Sequence, residues 1–143
     1  MKTDTSVRRM LFSVGLILML IITVSGQNRS GTYRRYNKWV RNNITFQEVK
    51  QGNTKVLKFQ ISISNIQHPP CLGSFEGVAK WIDANVAEYN RNFDERDPET
   101  GEAEPCRLTF IFSGNRVIVR EDDCGMYHGI SCEFEGTYVR KSR

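Results

Sequence analysis

Residues 106–121, CRLTFIFSGNRVIVRE, limit what this chain can fold into more than any other stretch. Two alternating runs flank Gly114-Asn115, a dipeptide suited to a tight hairpin turn. A two-residue turn there sets Phe112 opposite Val117, Phe110 opposite Val119 and Ile111 opposite Ile118. It also sets Thr109 opposite Arg120 and Arg107 opposite Asp122. One face is then aromatic and aliphatic, and the other carries the polar and charged residues. A slip of one residue would mix the two, so the register is strongly specified.

The same period of two recurs upstream. KVLKFQISIS (55–64) places Leu57, Phe59, Ile61 and Ile63 on one face and Lys58, Gln60, Ser62 and Ser64 on the other, the pattern of a strand with one wet side. NITFQEV (43–49) and GTYRRY (31–36) read as strands, with QGN (51–53) as a turn. Residues 65–73, with Pro69, Pro70 and Gly73, are expected to break regular structure. A last strand is expected at 131–140, with Cys132, Phe134, Gly136 and Tyr138 on one side.

The N-terminus has a different character. Lys2, Arg8 and Arg9 precede a nearly unbroken apolar run from Met10 to Val24, followed by Val24-Ser25-Gly26. This is the layout of a secretory signal peptide, with cleavage expected after Gly26. The alternative is a single-span anchor, for which the run is short of the roughly 20 apolar residues a span needs. Residues 27–143 then form one exported domain. The whole chain carries a formal charge of +4, and half of that belongs to residues 1–26. The remainder is not a nucleic-acid-binding charge balance.

Four cysteines, Cys71, Cys106, Cys124 and Cys132, lie beyond the leader. An even count in an exported chain points to two disulfides. In the hairpin register Cys106 falls opposite Asp123, one residue from Cys124, which favours Cys106–Cys124 and leaves Cys71–Cys132. Cys124–Cys132 with Cys71–Cys106 is the main rival.

Segment 74–93 is open between two readings. Val78, Trp81, Ile82, Val86, Tyr89 and Phe93 fit one face of a helix that Ser74 would cap. A hairpin turning at Asp83-Ala84-Asn85 instead pairs Ile82 with Val86, Trp81 with Ala87, Lys80 with Glu88 and Ala79 with Tyr89.

EGVA (76–79), VAEY (86–89), CRLTFIFSGNRVIV (106–119), DCG (123–125) and EGTYVRK (135–141) occur in that order. Together they resemble a set of small exported bacterial proteins whose pattern closes with a Cys-containing, Phe-rich strand, a Gly-Asn turn, a Cys-Gly loop and a Gly-Thr-Tyr strand. The resemblance covers about the last 70 residues. It implies a calycin-like antiparallel barrel, an architecture shared by lipocalins and several bacterial lysozyme inhibitors, and it turns 74–93 toward the hairpin.

The fold expected is therefore all-β: an up-and-down antiparallel calycin-like barrel or strongly curled sheet of about eight strands, at 31–36, 43–50, 55–64, 75–82, 86–91, 106–112, 116–121 and 131–140. The echo between SGTYRR and EGTYVRK predicts that 31–35 pair with 136–140 to close the sheet. Gly31 and Gly136 would allow the bend, and Tyr33 and Tyr138 would put their rings inward.

Few groups suit catalysis. His68 precedes Pro69 and reads as a loop residue. Cys124, His128 and Cys132 have helical metal-ligand spacing, but Gly125 and Gly129 oppose a helix and oxidation would consume the thiols. Asp122 and Asp123 point to opposite faces of a strand. Residues 94–105 are rich in acids, but Asp94, Asp97 and Glu99 lack calcium-loop spacing. No Gly-x-Ser-x-Gly elbow is present. No catalytic residue, metal or cofactor is expected.

Binding is expected instead. YRRYNKWVR (33–41) interleaves Tyr33, Tyr36 and Trp39 with Arg34, Arg35, Lys38 and Arg41, a surface that suits a protein or glycan partner in the envelope or extracellular space. The bland alternative is an edge strand with protective charges. Nucleic acid is not an expected partner, and a membrane is expected only through an uncleaved leader. The leading expectation is an exported, non-catalytic binding protein, secreted or periplasmic, in the manner of an inhibitor of a wall-degrading enzyme such as lysozyme. A small apolar-ligand carrier, its interior lined by Phe59, Trp81, Phe110, Phe112 and Phe134, is the second reading, and a metal or catalytic site around Cys124, His128 and Cys132 is the third. Asn28 and Asn43 stand in glycosylation sequons.

Overall fold

The computed structural model describes residues 28–66, 69–91, 101 and 105–142. The leader, His68 and most of the acidic 94–105 segment lie outside them. Eight strands run up and down: β1 Gly31–Tyr36, β2 Arg41–Gln51, β3 Thr54–Asn65, β4 Cys71–Asp83, β5 Val86–Arg91, β6 Cys106–Ser113, β7 Arg116–Asp122 and β8 Gly136–Arg140. Each pairs antiparallel with its neighbour, and β1 pairs with β8, so the sheet is a closed barrel.

The β6–β7 register is the one its side-chain pattern specifies, from Arg107 opposite Asp122 to Phe112 opposite Val117. Closure joins Tyr33 to Arg140 and Arg34 to Val139, and the Lys141 amide donates to the Thr32 carbonyl at 2.8 Å. Segment 74–93 contains a strand hairpin rather than a helix. Lys80 faces Glu88 and Trp81 faces Ala87, but Val86 faces Asp83 and not Ile82. A bulge beside the turn absorbs the extra residue.

Two strand starts differ from expectation by more than two residues. β4 begins at Cys71, inside the segment read as irregular, because 71–73 pair with 63–65 of β3. β8 begins only at Gly136. Residues before it hold to the barrel through side chains: the Phe134 amide donates to the Glu121 carboxylate, and the Tyr138 hydroxyl donates to the Phe134 carbonyl at 2.7 Å.

The inward positions of all eight strands meet in one core. Phe46, Phe59, Phe110 and Phe112 occupy its middle, with ring centroids 4.9–5.2 Å apart for Phe59–Phe110, Phe46–Phe110 and Phe46–Phe112. Such pairs add about 0.5–1.5 kcal/mol each beyond the burial of their area. An apolar ligand entering the middle of the barrel would have to part these rings. Trp81 is only partly buried and packs on Phe112 near the tight turns.

The two ends of the barrel are built differently. One carries the short turns after β2, β4 and β6. Arg29 closes it: its guanidinium lies 5.6 Å from the Phe112 ring centroid and donates to the Asn85 side-chain oxygen. The other end carries the connections after β1, β3 and β7. The last of these, residues 123–135, forms the candidate site.

Candidate functional site

Residues 123–135 cross the open end of the barrel as a lid. Cys124 is bonded to Cys106 at the start of β6, and Cys132 to Cys71 at the start of β4. This is the pairing favoured by the hairpin register. The two bridges anchor the lid near both of its ends to β6 and β4, which flank β5 in the wall, so neither end can lift independently of it. Between them, His128 bridges to Gly73 of β4. A Cβ at Gly73 would lie 2.7 Å from the His128 Cβ, so the close approach of the lid requires glycine there. Gly73 is thus a strand residue selected by a crossing, not a breaker.

The inward side chains at this rim are polar, and Arg91, Glu121 and Arg35 grip the lid. Arg91 of β5 donates to the Tyr127 hydroxyl. Glu121 of β7 bonds His128 Nε2 at 2.9 Å, while His128 Nδ1 lies 3.0 Å from the Gly129 carbonyl. Arg35 of β1 donates to the Glu135 carbonyl and pairs with Glu133 at 3.3 Å. Asn42 of β2 is buried, with its side-chain oxygen accepting from the Ser64 amide at 3.2 Å. Beneath them, Phe134 and Tyr127 pack against Phe75. Tyr138 sits deeper, and desolvation raises its pKa to about 12.

The outer surface of the same end is apolar. Among the described residues, six of the ten exposed large apolar side chains gather there: Tyr36, Trp39, Ile66, Leu72, Met126 and Ile130. Leu72 is 76% exposed and Ile130 fully so. The loops that carry them are tied together. The Ile66 amide donates to the Trp39 carbonyl at 3.0 Å, and Asn65 donates to the Ser131 carbonyl at 3.3 Å. Packed interloop hydrogen bonds of this kind hold a surface in one shape, and a fixed apolar patch with a polar rim is the usual mark of an interaction site.

The residues expected to bind divide across this geometry. Tyr36, Trp39 and Arg41 are exposed at the stapled end, with Lys38 Nζ 4.6 Å from the Trp39 ring centroid. Arg34 faces outward from β1 and lies over Tyr36. Tyr33 does not belong to the surface. It is 1% exposed, its ring meets Phe46 and Phe112, and its hydroxyl bonds the Arg29 carbonyl, because the alternation of β1 turns it inward. Arg35 also turns inward, but at the rim, where it holds the lid. Ile66, Leu72, Met126 and Ile130 went unseen as site residues in the sequence. Each is an isolated apolar residue in or beside a loop, and only the Cys71–Cys132 bridge hints that Leu72 and Ile130 lie at the same end of the barrel.

The thiol-based alternatives lose their ligands. Cys124 and Cys132 lie in separate disulfides, so neither offers a thiolate beside His128. Among the described residues no three His, Cys, Asp or Glu side chains gather as a metal site. Asp122 pairs with Arg107 at 3.7 Å, and Asp123 takes a positive φ of 59° where the lid begins. Asn28 accepts the Ser30 amide through its side chain, and Asn43 stands on β2 opposite Ser62.

No protein-family model, no curated protein and no solved structure matches this chain. The two disulfides fit an oxidising, exported environment. Among the described residues no helix is long and apolar enough to cross a membrane.

Proposed function

We propose that the protein is an exported, non-catalytic binding protein that docks a protein partner through the stapled end of its barrel. The concentration of exposed apolar side chains on that end carries this reading. Trp39, Leu72, Met126 and Ile130 supply the kind of large side chains that dominate binding hot spots; the two disulfides hold the segments of the last three, and the Ile66–Trp39 hydrogen bond holds the first, before the partner arrives, which lowers the ordering cost of association. Arg34, Lys38 and Arg41 border the Trp39 side, so the partner presents acidic groups there.

The finer reading is an inhibitor of a wall-degrading enzyme with secretion directed by residues 1–26. It rests on the resemblance of the 76–141 pattern and on the barrel. The basic border narrows it: an enzyme with a cationic face would be repelled.

Affinity capture from envelope extract or medium with residues 27–143 as bait tests the docking role. A discrete partner retained by the native chain and lost by folded Trp39→Asp and Leu72→Asp variants is expected. Equal retention by both variants would overturn the docking surface. A muramidase assay on the captured partner then tests inhibition.

A further inference from the structure

Beside the docking surface, a recess of about 310 Å³ opens between β1–β3 and the lid. We propose that this recess binds a single neutral sugar residue of a glycan, a role that goes beyond protein docking.

Its size, its charge balance and its two-sided chemistry carry the assignment. Ligand pockets span about 300–1,000 Å³, so this one suits a single ring rather than a lipid or a long oligomer. The charged groups in its wall are Arg35 and Glu133, which pair at 3.3 Å. A carboxylate or an ammonium ligand would have to break that pair and leave one charge uncompensated. Adjacent hydroxyls on a sugar meet both members without breaking it, one donating to the Glu133 carboxylate and the next accepting from the Arg35 fork.

Asn42, Asn65 and Ser131 add further polar groups to the wall. Asn42 is 3% exposed, and its amide is oriented by the Ser64 amide and the Tyr138 hydroxyl. Asn65 is oriented by the Ser131 carbonyl. These groups have fixed directions, as selective hydrogen bonding requires. Opposite them, Val40, Ile63 and Ile130 give an apolar surface for the C–H face of a pyranose. The Cys71–Cys132 bridge, whose Cys132 lines the recess, keeps the lid wall from receding.

The test is a titration of ¹⁵N-labelled chain 27–143 with N-acetylglucosamine, glucose and galactose, with sodium acetate as an anion control. Weak saturable binding of at least one sugar is expected, with shifts at the Asn42 and Asn65 side-chain amides and the Arg35 Nε–H. Arg35→Lys keeps the charge but removes the fork, and about a tenfold loss of sugar affinity is expected, the size of one or two charge-assisted hydrogen bonds. Should that variant fail to fold, Glu133→Gln at the mouth is expected to weaken the sugar severalfold. No shift at these groups with any sugar at tens of millimolar would overturn the proposal, as would tighter binding of acetate. Since no partner protein is present, the outcome is independent of the docking role.

Discussion

At the scale of single residues, Tyr138 shows how burial writes itself into a pH response. Its hydroxyl is fully enclosed and donates to the Phe134 carbonyl. Desolvation is the main cause that lifts its pKa from 10.0 to about 12, because the phenolate would lose its water without equal replacement. The folded state therefore holds its proton where the unfolded state releases it. The stability linked to this proton is fully present below pH 10 and drains away as pH rises toward 12. Absorbance titration at 295 nm should show a late ionisation near pH 12 that Tyr138→Phe lacks, and the variant should show a shallower loss of stability between pH 10 and 12. Gly73 is the steric counterpart. Gly73→Ala would push the lid off β4, with an expected cost of about 1–3 kcal/mol in urea unfolding and a weaker grip on any partner. The inward fate of Tyr138 was legible from the expected seam, whereas Tyr33 was read both inward at that seam and outward in the 33–41 cluster. The role of Gly73 was not legible, since a glycine after two prolines reads as a turn unless the crossing segment is known.

At the scale of elements, legibility followed the number of independent constraints on each strand. The β6–β7 hairpin was readable pair by pair because its turn dipeptide and both of its faces agree. β4–β5 was ambiguous because its inward positions include Gly77 and Ala79, where little side chain is available to mark the period of two. The lid misled in another way. Cys132, Phe134, Gly136 and Tyr138 alternate like strand residues, but the first two face inward because the lid dips into the core. The staples themselves predict unequal effects. The Cys71–Cys132 bridge spans a sequence separation of 61 and Cys106–Cys124 one of 18. In the loop-entropy account they contribute about 4 and about 3 kcal/mol. Replacing Cys71 and Cys132 with serine should thus lower the urea midpoint more than replacing Cys106 and Cys124. Hydrogen exchange should quicken across 126–135 in the first variant while the β6–β7 amides stay protected.

At the scale of the whole molecule, the barrel separates two jobs. Its aromatic middle supplies stability, and its stapled end supplies an exposed apolar surface that a self-sufficient fold has no need of. Phe46→Ala should cost about 3–5 kcal/mol in stability, whereas Leu72→Asp should leave thermal unfolding within a degree or two and act on partner capture alone. The site was legible in the sequence only where aromatic and basic residues crowd together, at Tyr36, Trp39 and Arg41. The rest is assembled from three connections, after β1, β3 and β7, that no local pattern links.

The closing seam has one more consequence. Arg140 of β8 donates to the carbonyls of Asn28 and Ser30, so the segments flanking the fold at either side of the seam lie together, at the end with the tight turns. A short linker from residue 142 to residue 28 would turn the seam into an ordinary hairpin, and the chain could be reopened at Gly52-Asn53 as a circular permutant. That permutant should fold with the same circular dichroism spectrum and the same disulfides; failure to do so would mean that the order of strand addition matters. For the same reason, a surface tether or fluorescent fusion attached at residue 28 or 142 would emerge from the far end and leave the stapled surface facing outward.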